Sequence, residues 1–372
     1  MKQFDDELSP APREDSVSTP ASPPARERLV PRPRDLVRLG PHDGAHVPAA
    51  RVAVSVVVPL VVLAVVGHVE WAPYAVFGAF ASAYGRGLSR FRRVGVQLEA
   101  GAGLVACVLL GATLATTAAP AWVVVGVIAL VAGAASLVAD LRRWAPPGPL
   151  FFVFGLGVCA FLPSASSSVA AAAVVAPASL ALAIVASLAG LLLPAGRRAL
   201  RSEGGTAWRR ELAPLDRRRA LVHAGICLVG SLTAGGASLA LGFENPYWAM
   251  VSAVVPVVGR ATSTQLVRAG HRLVGTLLGV GLAALLLAAR PGEVALIAAF
   301  GVLQFAAELT VARNYGLTLL AITPMALGMR ALGGPVDVGE LVAWRAIDTA
   351  LGVGVAVVLL LATHRLRAGL AR

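Results

Sequence analysis

Along most of its length the chain alternates long apolar runs with short arginine-bearing breaks. The run at 169–193 continues without the every-second-residue polarity that a membrane barrel strand requires. Lipid admits only helices and closed barrels, because both satisfy the backbone internally, so the pattern predicts α-helices. Twelve apolar spans are read, at 48–68, 71–85, 94–117, 121–139, 149–163, 169–194, 220–241, 247–259, 270–289, 293–312, 314–330 and 340–363. The fold class expected is an all-α polytopic membrane protein with twelve transmembrane helices. Residues 1–47 differ. They are proline-rich, mixed in charge and without apolar period, so a disordered cytoplasmic tail is expected. They also lack the basic, apolar, small-residue order of a cleavable signal peptide.

The breaks orient the spans. Those at 86–93, 140–147, 195–219 and 260–272, with Arg313 and the tail at 365–372, carry the arginines; the alternate breaks hold only Arg290 and Arg330. Cytoplasmic loops are enriched in Lys and Arg, and an even helix count places both termini on the basic side, which is therefore assigned to the cytoplasm. A duplication is also visible. Laying Glu70 on Glu244 places Tyr74 on Trp248, Gly85 on Gly259, Arg86 on Arg260 and, without a gap, Gly101 on Gly275. Two parallel six-helix repeats are expected, at 48–194 and 220–364, related by an axis along the membrane normal. The basic linker 195–219, with eight arginines, joins them and faces anionic lipid headgroups.

Composition changes the picture by exclusion. Hydrophobic residues make up 57% and charged residues 14%, with a mean hydropathy of +0.76. A soluble domain has about 25% charged residues, so an ordinary soluble enzyme is excluded. The net charge of +12 does not point to nucleic acid, because the arginines sit in short breaks between spans. Cys107, Cys159 and Cys227 lie inside apolar runs without metal-ligand spacing, which predicts buried packing residues. His68, His223 and His271 share no ligand spacing either, so no metal and no cofactor is expected. No phosphate loop, nucleophile elbow or HExxH is present, and the chain is not read as an enzyme.

The candidate chemistry is sparse. The spans at 71–85 and 247–259 are too short for a hydrocarbon core of about 30 Å, and paired short segments in two repeats point to a binding site. Each ends in Gly-Arg. Arg86 and Arg260 either cap a helix C-terminus or attract an anion. Arg345 and Asp348 share a helix face at i,i+3, where they can pair, as a structural ion pair or as a gating pair. Glu308 is either a proton-exchanging carboxyl or an interfacial partner of Arg313. Glu70 and Glu244 read as charges at helix N-termini. The stretch 275–279 is a GxxxG packing pattern.

Taken in order, several strings carry a resemblance: Asn245-Pro246-Tyr247-Trp248-Ala249, Gly259-Arg260, His271-Arg272 through Gly279, Arg313-Asn314-Tyr315 with Thr323-Pro324, and Arg345-Ala-Ile-Asp348-Thr349. The series resembles the fusaric acid resistance protein-like family of the aromatic acid exporter superfamily, strongly over 220–363 and more faintly over 48–194. The resemblance implies a bacterial inner-membrane exporter of aromatic carboxylic acids. Plant malate channels look like distant relatives with six-span subunits paired around a basic anion path, which implies either a homodimer or a single chain whose halves form such a pair. The first half lacks the Arg-x-x-Asp string, and no large cytoplasmic domain is seen. The expected function is export of an organic carboxylate driven by the proton gradient. Arg86 and Arg260 would attract the anion, His271 and Arg272 would stand at the cytoplasmic mouth, Arg345 and Asp348 would gate, and Glu308 would couple protons. An anion channel and a non-transporting lipid-associated scaffold are the alternatives.

Overall fold

The computed structural model describes residues 32–41, 44–163, 166–189, 216–259, 261–334 and 336–369. Among them the secondary structure is helical throughout. Nine helices are long and apolar enough to cross a membrane: α1 (His46–Val66), α3 (Arg90–Thr116), α4 (Ala121–Arg142), α6 (Val169–Leu188), α7 (Arg217–Ala240), α9 (Thr262–Ala288), α10 (Glu293–Thr310), α11 (Tyr315–Leu332) and α12 (Val338–Ala362). Three shorter helices occupy the remaining expected spans: α2 (Ala72–Ala79), α5 (Leu150–Ala160) and α8 (Tyr247–Val254). Every expected span thus contains a helix.

Local chemistry sets the boundaries. The side chains of Ser168, Asp216, Asn314 and Asp337 each accept a backbone N–H in the first turn, which starts α6, α7, α11 and α12. Gly67, with φ 76°, closes α1 in the left-handed region. The short helices are bounded by proline. Pro73 sits in the first turn of α2, Pro149 and Pro246 occupy the N-caps of α5 and α8, and Pro256 follows the end of α8. At 1.5 Å per residue α2 and α8 are only about 12 Å long. All eight residues of each are buried, so neither has to match the thickness of lipid. The long helices keep a wide exposed apolar face instead, for example Val65, Trp122, Val174, Leu285, Val302 and Val358.

The packing pairs recur six helices apart. In the first half α1 packs on α2 and α6, α2 on α6, α3 on α5 and α6, and α4 on α5. In the second half α7 packs on α8 and α12, α8 on α12, α9 on α11 and α12, and α10 on α11. The halves meet along two seams of long helices, α4 with α7 and α10 with α1, while α5 touches α8 and α2 touches α11 at the centre. Glycine permits the closest approaches. A Cβ on Gly78 of α2 would run into the Ala176 carbonyl oxygen of α6, and one on Gly352 of α12 into the Ala249 carbonyl oxygen of α8.

The buried faces of the two halves superpose in a register different from the ungapped one. The buried positions of α3 match those of α9 with Gln97 on Gln265, Leu104 on Arg272, Cys107 on Gly275 and Gly111 on Gly279. Gly101 therefore corresponds to Ala269 rather than Gly275. The two glutamines do the same work: Gln97 donates to the Ser82 and Tyr84 carbonyls, and Gln265 to those of Val257 and Gly259. The link from α2 to α3 is simply longer than that from α8 to α9, which a one-register comparison cannot accommodate. In the same way the buried face of α6 (Ala172, Ala176, Ser179, Ala183, Ser187) matches that of α12 (Arg345, Thr349, Gly352, Ala356, Leu360). Ala172 stands where the second half has Arg345.

Part of the segment expected to be disordered is structured. Pro33–Val37 form a helix, and residues 36–40 lie against the N-terminal part of α9 and the start of α11: His271 Nε2 and Asn314 Nδ2 meet the Leu36 carbonyl at 2.8 and 2.9 Å, and Gly40 N–H donates to the Arg313 carbonyl at 2.9 Å. The basic linker lies outside the described residues except for 216–219.

Candidate functional site

The four elements that meet at the centre line a narrow open cleft of about 30 Å3. It lies at the end of the bundle marked by Glu70, between the N-terminal ends of α2 and α8 and the C-terminal ends of α5 and α11. Its walls are aromatic and apolar. Phe154 and Phe161, two turns apart on and just after α5, face Trp248 and Tyr247 at centroid separations of 5.2 and 5.9 Å. Tyr247 and Trp248 are adjacent in sequence and 4.7 Å apart. Two charged side chains reach the same cleft, Arg330 from the last turn of α11 and Glu70 from the turn before α2. At the rim His68 stacks on Trp71 and contacts the Glu70 carboxylate at 3.0 Å. Aromatic walls with one cation suit a ligand that is flat, apolar and anionic at one edge.

Behind Trp248 lies a polar cluster that belongs to the second half. The Arg345 guanidinium lies over the Trp248 ring, 3.9 Å from its centroid, and is 1% exposed. Guanidinium and indole attract through the ring quadrupole, more strongly away from water. Asp348, one turn on, accepts from Ser238 of α7 at 2.8 Å. It is not in ion-pair contact with Arg345; the pairing expected from their spacing gives way to partners on other helices. Arg272 of α9, also buried, donates to Ser252 Oγ from Nε and Nη2 at 3.2 Å and to the Tyr315 hydroxyl from Nη1 at 3.3 Å. Ser252 in turn donates to the Trp248 carbonyl, so α8 carries both arginines, one on a ring and one on a hydroxyl a turn later. Arg272 is thus an interior residue and not one at the mouth. Its neighbour His271 is the one that points to the bundle end, where Leu36 covers it.

At that opposite end Arg86 and Glu308 find each other. Arg86 Nη2 lies 2.7 Å from Glu308 Oε2 and 3.2 Å from the Glu308 carbonyl oxygen, joining the link after α2 to α10 along the α1–α10 seam. Gln304 Nε2 approaches the other carboxylate oxygen at 3.4 Å, and Arg51 of α1 donates to the Ser82 carbonyl in the same neighbourhood. The partner of Glu308 is therefore Arg86, not Arg313, which donates to the Gly40 carbonyl. Arg260 lies outside the described residues.

Sequence reasoning missed two features. The other seam, α4–α7, holds His223 with Nδ1 at 2.7 Å from Asp140 Oδ2 and 3.2 Å from Ser136 Oγ. No spacing links residues so far apart in sequence. The aromatic cleft was missed as well, although Tyr247 and Trp248 stand inside a noticed motif; what gives them a role is Phe154 and Phe161 arriving from the other half. Among the described residues no three His, Cys, Asp or Glu side chains gather as metal ligands.

Residues 232–359 match the family model described as fusaric acid resistance protein-like. The match runs from within α7 to near the end of α12, and so contains Trp248, Ser252, Arg272, Tyr315, Arg330, Arg345 and Asp348. Over 116 residues the chain is 34% identical to the "Uncharacterized membrane protein YvaC" of Bacillus subtilis (strain 168), a stretch that covers 31% of this chain and 18% of that protein. The chain thus spans about a fifth of that relative's length. No solved structure matches it.

Proposed function

We propose that this multi-pass membrane protein, similar over its second half to the fusaric acid resistance protein-like family, exports organic carboxylates, aromatic acids first among them, across a bacterial inner membrane. The observation that carries the reading is the aromatic cleft where α2, α5, α8 and α11 converge, with Arg330 at its edge. A benzoate-sized ring would part the α5 phenyl rings from the Tyr247–Trp248 pair, which touch in this state, and its carboxylate would be drawn by Arg330. The repeated packing pairs support two parallel six-segment repeats with the cleft on their axis, nine segments crossing as continuous helices and three as short helices with their flanking turns, shielded from lipid. On this reading both termini, Arg86 and Glu308 are cytoplasmic, the cleft faces outward, and the single chain holds a complete pair of halves. The basic linker would meet anionic headgroups.

A proton-driven cycle follows from the other end. Protonating Glu308 would release Arg86 from its partner and loosen the α1–α10 seam, which couples proton entry to rocking of one half on the other. No catalytic group is invoked. The test is efflux of benzoate from proteoliposomes holding the full chain, with and without an imposed proton gradient. Gradient-stimulated efflux that falls at least tenfold in Trp248→Ala and several-fold in Arg330→Gln is expected. Efflux equal to that of protein-free vesicles for a panel of aromatic acids would refute the transporter reading.

A further inference from the structure

The cluster behind Trp248 has more positive charge than its surroundings answer. Arg345 and Arg272 are 1% and 3% exposed, and they repel one another. Arg272 spends its donors on two neutral oxygens, those of Ser252 and Tyr315. Arg345 has a ring beneath it, while its Nε and Nη1 are buried without a hydrogen-bond partner. Asp348, whose charge acts on Arg345, is turned to Ser238 and leaves Oδ2 unpartnered. Two guanidiniums against one carboxylate leave a net positive charge at membrane depth. An uncompensated buried charge is among the most costly arrangements a protein can hold, and unmet guanidinium donors add to the cost.

We propose that Arg345 and Arg272 form a binding site for one monovalent anion, a carboxylate group or a halide, reached from the cleft past Trp248. The ligand supplies the missing negative charge and accepts the free Arg345 donors, as guanidinium groups bind carboxylates elsewhere. Trp248 is the wall between cleft and cluster: it lines the cleft and carries Arg345 on its ring. A turn of its side chain therefore both opens the way and frees the guanidinium. The first half has no counterpart. Ala172 stands at the position of Arg345 and Leu104 at that of Arg272, so each chain holds one such site even though its helices are paired. The site is a matter of binding and does not require that the protein transports anything.

The experiment is equilibrium binding to the full chain in detergent, by calorimetry in a sulfate-based buffer, with sodium benzoate, acetate and chloride as separate probes. For acetate and chloride one saturable site per chain is expected, weakened about tenfold or more in both Arg345→Gln and Arg272→Gln, as loss of one strong charged contact requires, and changed less than about threefold in Arg142→Gln, an exposed arginine of α4 beside Glu99; benzoate in the cleft adds a second component that Arg330→Gln removes. Arg345→Lys and Arg272→Lys keep the charge and should retain most of the protein and part of the affinity. A second readout needs no arginine variant. Iodide should quench tryptophan fluorescence with a saturable component that Trp248→Phe removes. Benzoate and acetate binding above chloride identifies a carboxylate as occupant, and chloride alone identifies a halide; either supports the site. No saturable binding of acetate or chloride, two sites per chain for either of them, or affinities unchanged in both Gln variants would overturn it. Binding without efflux would remove the transporter reading and leave this one, and efflux with unaltered Arg345 and Arg272 variants would do the reverse.

Discussion

Neutralising Glu308 tests the seam between the halves most directly. Its carboxylate lies 2.7 Å from Arg86, with side-chain exposures of 12% and 27% respectively. A hydrogen bond to a charged group contributes about 1.5–3 kcal/mol, and stripping one partner from a fully buried pair costs about 3–5. Glu308→Gln keeps an acceptor for Arg86 but removes the charge, and Arg86 retains the Glu308 backbone carbonyl and some access to water. A charge-assisted bond is roughly twice as strong as a neutral one, so the cost should be about 1–2 kcal/mol. Arg86→Gln strands a carboxylate that is the more buried of the two and should cost about 2–3 kcal/mol. The double variant should cost less than the sum by at least about 1 kcal/mol. Equilibrium unfolding of the four proteins in mixed micelles measures this coupling. In the same proteins efflux should lose its response to the proton gradient while basal flux persists in Glu308→Gln. Additive costs within about 0.5 kcal/mol would show that the pair is incidental to the seam. A full gradient response in Glu308→Gln would show that the proton enters elsewhere, with His223 and Asp140 in the other seam as the next place to look.

Two further outcomes are expected. Gly352→Ala should cost several-fold in folded protein, by detergent-solubilised yield, because the new methyl group meets the Ala249 carbonyl; Gly354→Ala, two residues on and facing open space, should be neutral, and equal yields would refute the close approach of α8 and α12. Because the three native cysteines are buried, single cysteines introduced at 197 and at 334 should label from opposite sides of the membrane in whole cells, and labelling from one side would refute the count of crossings between them.

What the sequence made legible follows physical range. Apolar runs and prolines act over a few residues, so helix positions could be read directly, including the three short ones. The shared face of Arg345 and Asp348 could be read for the same reason. Their partners could not, because Trp248 and Ser238 reach them from α8 and α7, and a neighbour three residues away lost to partners about a hundred away. Gly85-Arg86 and Gly259-Arg260 looked like matched ends, yet Arg86 is set by Glu308 of the other half, a contact to which local spacing is blind. The tail misled through composition. Proline and mixed charge disfavour self-folding, but His271, Asn314 and Arg313 offer residues 36–40 hydrogen bonds that the segment cannot make alone.

The glycine contact at α8 and α12 has a mechanical consequence. With the Gly352 backbone lying directly on the Ala249 carbonyl, no layer of side chains separates the two helices, and there is nothing between them that could repack. They are effectively welded. Arg345 and Trp248 ride on the two sides of that weld, so helix movement cannot change their spacing; only a side-chain rotation can. Gly133 of α4 likewise lies close on Leu228 and the Ala224 carbonyl of α7. Asp140 with His223 and Glu308 with Arg86 tie the two seams through ionisable side chains instead, so the contacts that can change with protonation lie between the halves and not at the glycine joint beside the buried arginines.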